Sequence, residues 1–371
     1  VFFAIEDAQG NKIKLTDDDD LMLSEVTTVK QAAKATSFIV TIISKEALTN
    51  EISENNCVSR YEGLIAEVVR EIIKDNLKSE KGVEVDFTDN MYTQWGDGRN
   101  PFKLIMDLQK IAIPYTSIDG ESSLGSMAGY LFWQTSEGFH FKSVDRLFEV
   151  IGKGIQRSTG KRIKRFISTQ KVEKNIPIGY DAKILDYHII RNTSLLEQLK
   201  AGAFGSQSRV RNIVANTVTQ EAPLNQDTPT VRGGKGRVNI NPQLDKVTNF
   251  YELDQPVGNT FFGSSTIKDQ VGTATTTPAF RVEDTVLQAL RSYRDKFNIS
   301  MEIKIEGDFS LHAGDLVYIE IPELSSKKTV VRSPKDSGIY MIADLCHFAD
   351  KTQTYTGLHL VRDSFGVKSL T

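Results

Sequence analysis

The chain has 371 residues, room for roughly two to four domains that each bury a core of their own. With 45 Lys plus Arg against 48 Asp plus Glu, its net charge of -3 excludes a global basic field drawing it to nucleic acid or acidic lipid. Hydrophobic residues at 39% and charged residues at 25% are slightly apolar-poor for a compact enzyme of this size, which points to long polar loops or large interfaces.

The chain opens inside a strand-like run, VFFAIE, so earlier strands are expected to precede it. VFFAIEDAQGNKIKLTDDDDLMLSEV reads as strand, Asn-containing turn, strand, acidic turn and strand, and TSFIVTIISKEAL over 36–48 adds a β-rich run. Together they predict an antiparallel β module. The run Asp17 to Asp20 has neither the alternating ligands nor the central Gly and final Glu of a calcium loop, and reads as a solvated turn. From Cys57 the period changes: Tyr61, Leu64, Ile65, Val68, Val69, Ile72 and Leu77 recur at helical spacing, with Glu62, Glu67, Glu71 and Lys74 opposite. A second helix is predicted from Asn100-Pro101 through FKLIMDLQKIAI, with Asn as its cap and Pro at its first position. YLFWQT and GFHFKSV follow as strands joined at Ser136 to Gly138, and Phe132, Phe139 and Phe141 read as core, since few basic residues are interleaved with them.

GIQRSTGKRIKR, residues 154–165, reads as a basic solvated loop able to contact a phosphate or an acidic partner. Thr193 and Ser194 cap a predicted short helix that stops at Gly202, and SQSRVRNIVANTVTQ follows as strand. From 222 to 280, Pro, Gly, Thr, Asn and Gln predict loops; the Gly-Gly-Lys-Gly piece has no Lys-Ser/Thr ending and no helix after it, unlike a phosphate cradle. Val282, Val286, Leu290, Tyr293 and Phe297 then trace one helical face.

ISMEIKIEG alternates, with Ile299, Met301, Ile303 and Ile305 on one side and Ser300, Glu302, Lys304 and Glu306 on the other. With LVYIEI, GIYMIADL and YTGLHLVR it predicts a compact barrel or half-barrel of antiparallel strands. Glu302 and Lys304 are candidate interface residues. Within GDFSLHAGDLVYIEIPE, 307–323, Leu311 is expected to plug the barrel end, Gly314 to adopt a positive φ, and Asp315 to hold the turn by bonding nearby amides.

Chemistry-bearing motifs are sparse. Cys57 and Cys346 lie too far apart for a metal knuckle or redox pair and read as reduced, mostly buried thiols. The five histidines His140, His188, His312, His347 and His359 form no H-E-x-x-H, and Cys346 and His347, adjacent on a strand, point to opposite faces. No G-x-S-x-G occurs. No catalytic, cofactor-binding or metal residue is assigned, and the enzyme alternative, a cell-wall hydrolase, would need a carboxylate pair the sequence does not single out. No apolar run reaches the roughly 18 residues of a membrane span and no signal peptide opens the chain, so no membrane anchor is expected.

The order helix, strand, L-x-x-G-D-x-V, strand, GIYMIADLCHF and YTGLHLVRD resembles the C-terminal barrel of phage tail-hub proteins, in particular the central hub subunits of T-even-type contractile-tail baseplates. The resemblance extends through FFAIED, DDDDLML, FIVTIISKEAL, NPFKLIMDLQKIA and AGYLFWQTSEGFHFKSV, and 222–280 matches least. It implies an α+β chain of two antiparallel β-barrel tube domains with inserted mixed α/β domains. On that pattern 1–52 is tube domain A, 53–185 an inserted α/β domain, 186–222 the first part of tube domain B, 223–297 a loop-rich insert with an amphipathic helix, and 298–371 the rest of tube domain B. It further implies a homotrimeric ring in the virion, assembled in the host cytoplasm, that adapts a sixfold tail tube to a threefold spike. The implied partners are the central spike protein, with or without lysozyme, tail tube or tube-initiator proteins and baseplate wedge proteins, with DNA passing through the lumen unbound.

Overall fold

A computed structural model describes residues 3–7, 9–15, 21–32, 35–115, 128–147, 150–151, 156–157, 162–168, 176, 178–192, 205–212, 217–220, 257–264, 289, 293, 297, 299–323, 333, 336–350 and 353–362. The chain starts with two antiparallel hairpins, β1 (Phe3–Glu6) with β2 (Lys12–Leu15) and the longer β3 (Leu21–Ala32) with β4 (Ala35–Ser44). The β run predicted to 48 ends at Ser44, whose Oγ accepts from the Ala47 amide at 3.3 Å and caps α1 (Lys45–Glu51). Lys, Glu, Ala and Leu are strong helix formers, and the cap decides the boundary. Among the described residues the first 52 positions hold two separate two-stranded sheets rather than a closed barrel. The Asp17 to Asp20 turn lies outside the described residues.

A mixed α/β unit follows. β5 (Arg60–Leu64) leads into α2 (Ile65–Glu71), which ends in a π turn, Ile72–Asn76. Next come β6 (Val83–Val85), β7 (Met91–Trp95), α3 (Pro101–Ile111), β8 (Tyr130–Thr135), β9 (Gly138–Ser143) and α4 (Val144–Leu147). β5 pairs with β7, and β9 lies between β6 and β8. Tyr61 and Leu64 are thus on a strand, not on the predicted helix, because the backbone stays extended through Leu64. Tyr61 still joins the same core as Ile65, Val69 and Ile72, since strand alternation turns its ring inward and its hydroxyl donates to Asn76 Oδ1 at 3.0 Å. α3 begins at Pro101 as expected, but the Asn100 side chain makes no capping bond; Asn50 Oδ1 takes that role by accepting from the Phe102 amide at 2.8 Å. Phe139 and Phe141 are buried, and Phe132 stacks parallel to Phe139 at 5.8 Å.

The short hairpin β10 (Val150–Ile151) and β11 (Gln156–Arg157) precedes β12 (Lys164–Ser168) and β13 (Ala182–Asn192). β14 (Gly205–Asn212), β15 (Thr217–Gln220) and β16 (Val257–Ser264) form a three-stranded sheet of their own. The stretch expected to be dominated by loops contains one strand, and strands from 205–220 stay outside the barrel. The remainder of 222–280 and the predicted helix at 193–202 lie outside the described residues.

Finally β17 (Ile299–Glu306), β18 (Leu316–Glu320), β19 (Gly338–Ala349) and β20 (Thr354–Arg362) close a six-stranded barrel with the two earlier strands, in the order β12-β13-β17-β20-β19-β18. It is the one closed barrel among the described residues, and it is mixed: β12 runs parallel to both of its neighbours. β12 lies ahead of the boundary at 186, and it recruits the end of the basic segment into the wall. Arg162 pairs with Asp181 at 3.3 Å, Lys164 bonds Asp308 and Ser310, and Arg165 lies over the Tyr180 and Tyr318 rings. Lys164 and Arg165 are wall, not solvated loop, whereas Arg162 precedes the strand and stays exposed.

Phe166, Ile184, Met301, Ile303, Ile305, Val317, Ile319, Tyr340, Ile342, Leu358 and Leu360 fill the barrel. Outside, Leu316, Tyr318, Ile339, Met341 and Val361 pack against Val144, Leu147 and Ile163, with Trp133, Tyr293 and Phe297 alongside. The Tyr293 hydroxyl donates to the Tyr130 carbonyl at 2.6 Å and accepts from its amide at 3.1 Å. The α/β unit therefore covers one side of the barrel, and among the described residues the opposite side stays open.

Candidate interaction surface

The open side is built by strand alternation. On β17 the odd positions Met301, Ile303 and Ile305 point into the barrel and Glu302, Lys304 and Glu306 point out. Ser300, expected on the polar face, is buried because its cross-strand neighbour Val361 belongs to the cluster under the α/β unit. Beyond that cover, two rows cross the wall. His188, Glu302, His359 and Asp344 lie in register on β13, β17, β20 and β19, and Asp186, Lys304, Gly357 and Cys346 form the next row, so Cys346, expected to be buried like Cys57, is exposed on the outer wall. A bulge between Ile342 and Asp344 brings Asp344 opposite His359, whose Nδ1 lies 2.9 Å from the carboxylate. Lys304 Nζ sits 3.6 Å above the centre of the Tyr355 ring, which stacks on Phe348 at 4.8 Å. Between these side chains lies an open cavity of about 320 Å³.

The L-x-x-G-D turn is elsewhere, at a barrel end. Leu311 is buried in the barrel core, Gly314 has φ +85°, and Asp315 Oδ2 accepts from the His312 amide at 3.1 Å. The Gly314 amide donates to the Ile342 carbonyl at 2.8 Å and the Ile342 amide to the Asp315 carbonyl at 2.9 Å, which fixes the turn onto β19. A Cβ on Gly314 would stand 2.7 Å from Trp133 Cζ2, so the glycine also lets the α/β unit approach.

The residues before the turn tie in the start of the chain. Asp7 Oδ2 accepts from the Phe309 amide at 2.8 Å, while its Oδ1 accepts from the Gln9 and Asn11 amides at 2.9 and 2.7 Å. Burial alone would push the Asp7 carboxyl up, but these bonds to its charged form hold it below the usual range. Beside it, burial pushes the His347 imidazole down; its Nδ1 lies 2.9 Å from Thr356 Oγ1. The stretch 307–315 is thus a three-way junction of first hairpin, barrel and α/β unit. Sequence reading named Leu311, Gly314 and Asp315 but missed Asp7 and Trp133. The only trace of Asp7 was its turn-forming context D-A-Q-G-N, and nothing local marked Trp133 as the partner of a turn some 180 residues away.

Of the histidines, the structure gathers His188 and His359 on the wall, while His140 lies in the α/β unit and His312 and His347 near the junction. Among the described residues no group of three or more His, Cys, Asp or Glu side chains is placed to hold a metal ion. None of the described helices is long and apolar enough to cross a membrane.

No family model matches the chain, and no curated protein matches it. Among solved structures, a tail protein from Neisseria meningitidis MC58 aligns with TM-score 0.44 and 7% identity over 92% of this chain and 79% of its own. The 43 kDa tail protein of prophage MuSo2 from Shewanella oneidensis aligns with TM-score 0.43 and 10% identity over 92% and 75%. An E. coli type VI secretion component, described as structurally similar to T4 bacteriophage tail proteins, aligns with TM-score 0.39 and 8% identity over 98% of this chain and 63% of its own.

Proposed function

We propose that the chain is a structural subunit of the hub in a contractile phage-tail baseplate, with no catalysis of its own. Three copies form a ring that joins the sixfold tail tube to the threefold spike, contacts the wedge proteins and leaves a channel through which DNA passes without specific binding. Two tube modules serve each subunit: the barrel closed by β12, β13, β17, β18, β19 and β20, and a second that includes the 1–52 hairpins and is completed on assembly. The spike partner, with or without a lysozyme domain, sits on one face of the ring and the tube on the other.

The observation that carries this reading is the β3–β4 hairpin. Its strands of 12 and 10 residues leave Leu23, Phe38 and Ile39 63%, 58% and 59% exposed, and a lone two-stranded sheet is marginal in water. Val26, Val40 and Ile42 are exposed too, so apolar side chains stand on both faces. Such a hairpin has its place inside an assembly, where neighbours cover faces and edges. The ordered segments from FFAIED to YTGLHLVRD support the same reading. The test pairs a mass measurement of the particle-assembled protein with a cell-wall clearing assay on the isolated chain. A trimer without clearing is expected; a monomer in the particle, or clearing by the isolated chain, refutes the reading.

A further inference from the structure

The open wall has a shape and a charge of its own. Gly357 puts no side chain between Lys304 and Cys346, so the second row has a gap, and that gap is the floor of the cavity. The groove crosses four strands, roughly 14 Å at the usual strand spacing, a span of about four residues of extended chain. Among the described residues three carboxylates, Asp186, Glu302 and Asp344, line it against one ammonium, that of Lys304. That ammonium already rests on the Tyr355 face, which shows that the ring accepts a cation at close range.

We infer that this groove docks an extended basic segment of a partner protein, whose Lys or Arg heads meet Glu302, Asp344 and Asp186 and displace Lys304 from the Tyr355 face. The sign of the charge disfavours nucleic acid and acidic lipid. A twofold contact with a second copy would set the same carboxylates against each other, which disfavours that occupant. The inference stands on the wall itself and does not need the ring.

The test uses fluorescein-labelled hexalysine, with hexaglutamate as control, titrated by anisotropy into the full chain. Hexalysine should bind and hexaglutamate should not. Glu302→Lys with Asp344→Lys should weaken hexalysine about tenfold or more, and Tyr355→Ala severalfold. Gly357→Val should also weaken it: an added Cβ meets Phe348 Cε2 only at 3.8 Å, so the groove fills without a clash. Lys304→Gln removes the resident cation and should tighten binding about threefold, a gain that misfolding cannot produce. Absent hexalysine binding, or binding indifferent to all four changes, would overturn the inference. So would self-association of the wild type that Lys304→Gln alters while hexalysine fails to compete, since the occupant would then be a second copy.

Discussion

At Gly314 two constraints coincide, a backbone at φ +85° and the indole of Trp133 where a Cβ would go. Gly314→Val should therefore cost about 2–4 kcal/mol, the strain of a β-branched residue at positive φ added to a clash with a rigid ring. Denaturant melting of Gly314→Val, Trp133→Ala and the double variant separates the two: the cycle should show positive coupling, with the backbone part remaining when the indole is gone. Additivity would mean that the indole plays no part. At Asp7, removing the carboxylate by Asp7→Ala leaves the buried Phe309 amide unsatisfied, which should cost about 1–3 kcal/mol. The sign with pH follows from the lowered folded pKa: the contribution is present above the unfolded value of about 3.9 and fades as pH falls through the lower folded one. The stability difference between wild type and Asp7→Ala should hold at neutral pH and shrink only below about pH 4. A difference that shrinks at higher pH would assign it to another group.

Among elements, those with local signals were legible. The alternation of 299–306, the YLFWQT and GFHFKSV hairpin and the start at Asn100-Pro101 are read from a few neighbouring residues, and they form where predicted. What the chain hides is pairing at a distance. β12 is five residues with no alternation long enough to betray it, and it enters the barrel by parallel pairing to strands on either side, one of them about 150 positions later. The groove was half legible for the same reason: Glu302 and Lys304 were visible as the polar face of one strand, but His359, Asp344 and Gly357 join them only through cross-strand register. Apolar pattern misled once, at Tyr61 and Leu64, where a strand and a helix in succession share one core. The β3–β4 hairpin offers the converse, an apolar pattern with no core among the described residues. Val26 and Val40 are directly paired and both about half exposed. Val26→Lys with Val40→Lys should leave the melting of the isolated chain within about 1 kcal/mol, since exposed positions tolerate change. It should abolish incorporation into particles, read by the copy number in purified virions. Normal incorporation would place both side chains in solvent.

For the whole molecule, the demand is one of symmetry. A sixfold tube and a threefold spike cannot share equivalent contacts unless some layer presents both, and three subunits with two similar modules each do so. The chain closes one six-stranded barrel by itself and leaves long, apolar strand surface in the β3–β4 hairpin, the segment that the proposed reading assigns to the second module. That division is physically coherent: a barrel whose core is complete folds before assembly, while a hairpin without a core gains partners only when neighbours arrive, so in the proposed ring, closure and completion of the second module are expected to be one event. The prediction is a species of about three times 41.4 kDa whose image along the ring axis shows six near-equivalent lobes under threefold symmetry. Each subunit contact should bury well over about 1,000 Å², as permanent interfaces do. Hydrogen exchange should then separate the modules. Amides of β17 and β20 are expected to be protected in the isolated chain, and those of β3 and β4 only in the ring. Protection of β3 and β4 in the monomer would mean that the hairpin is already covered, and the coupling of folding to closure would fall with it.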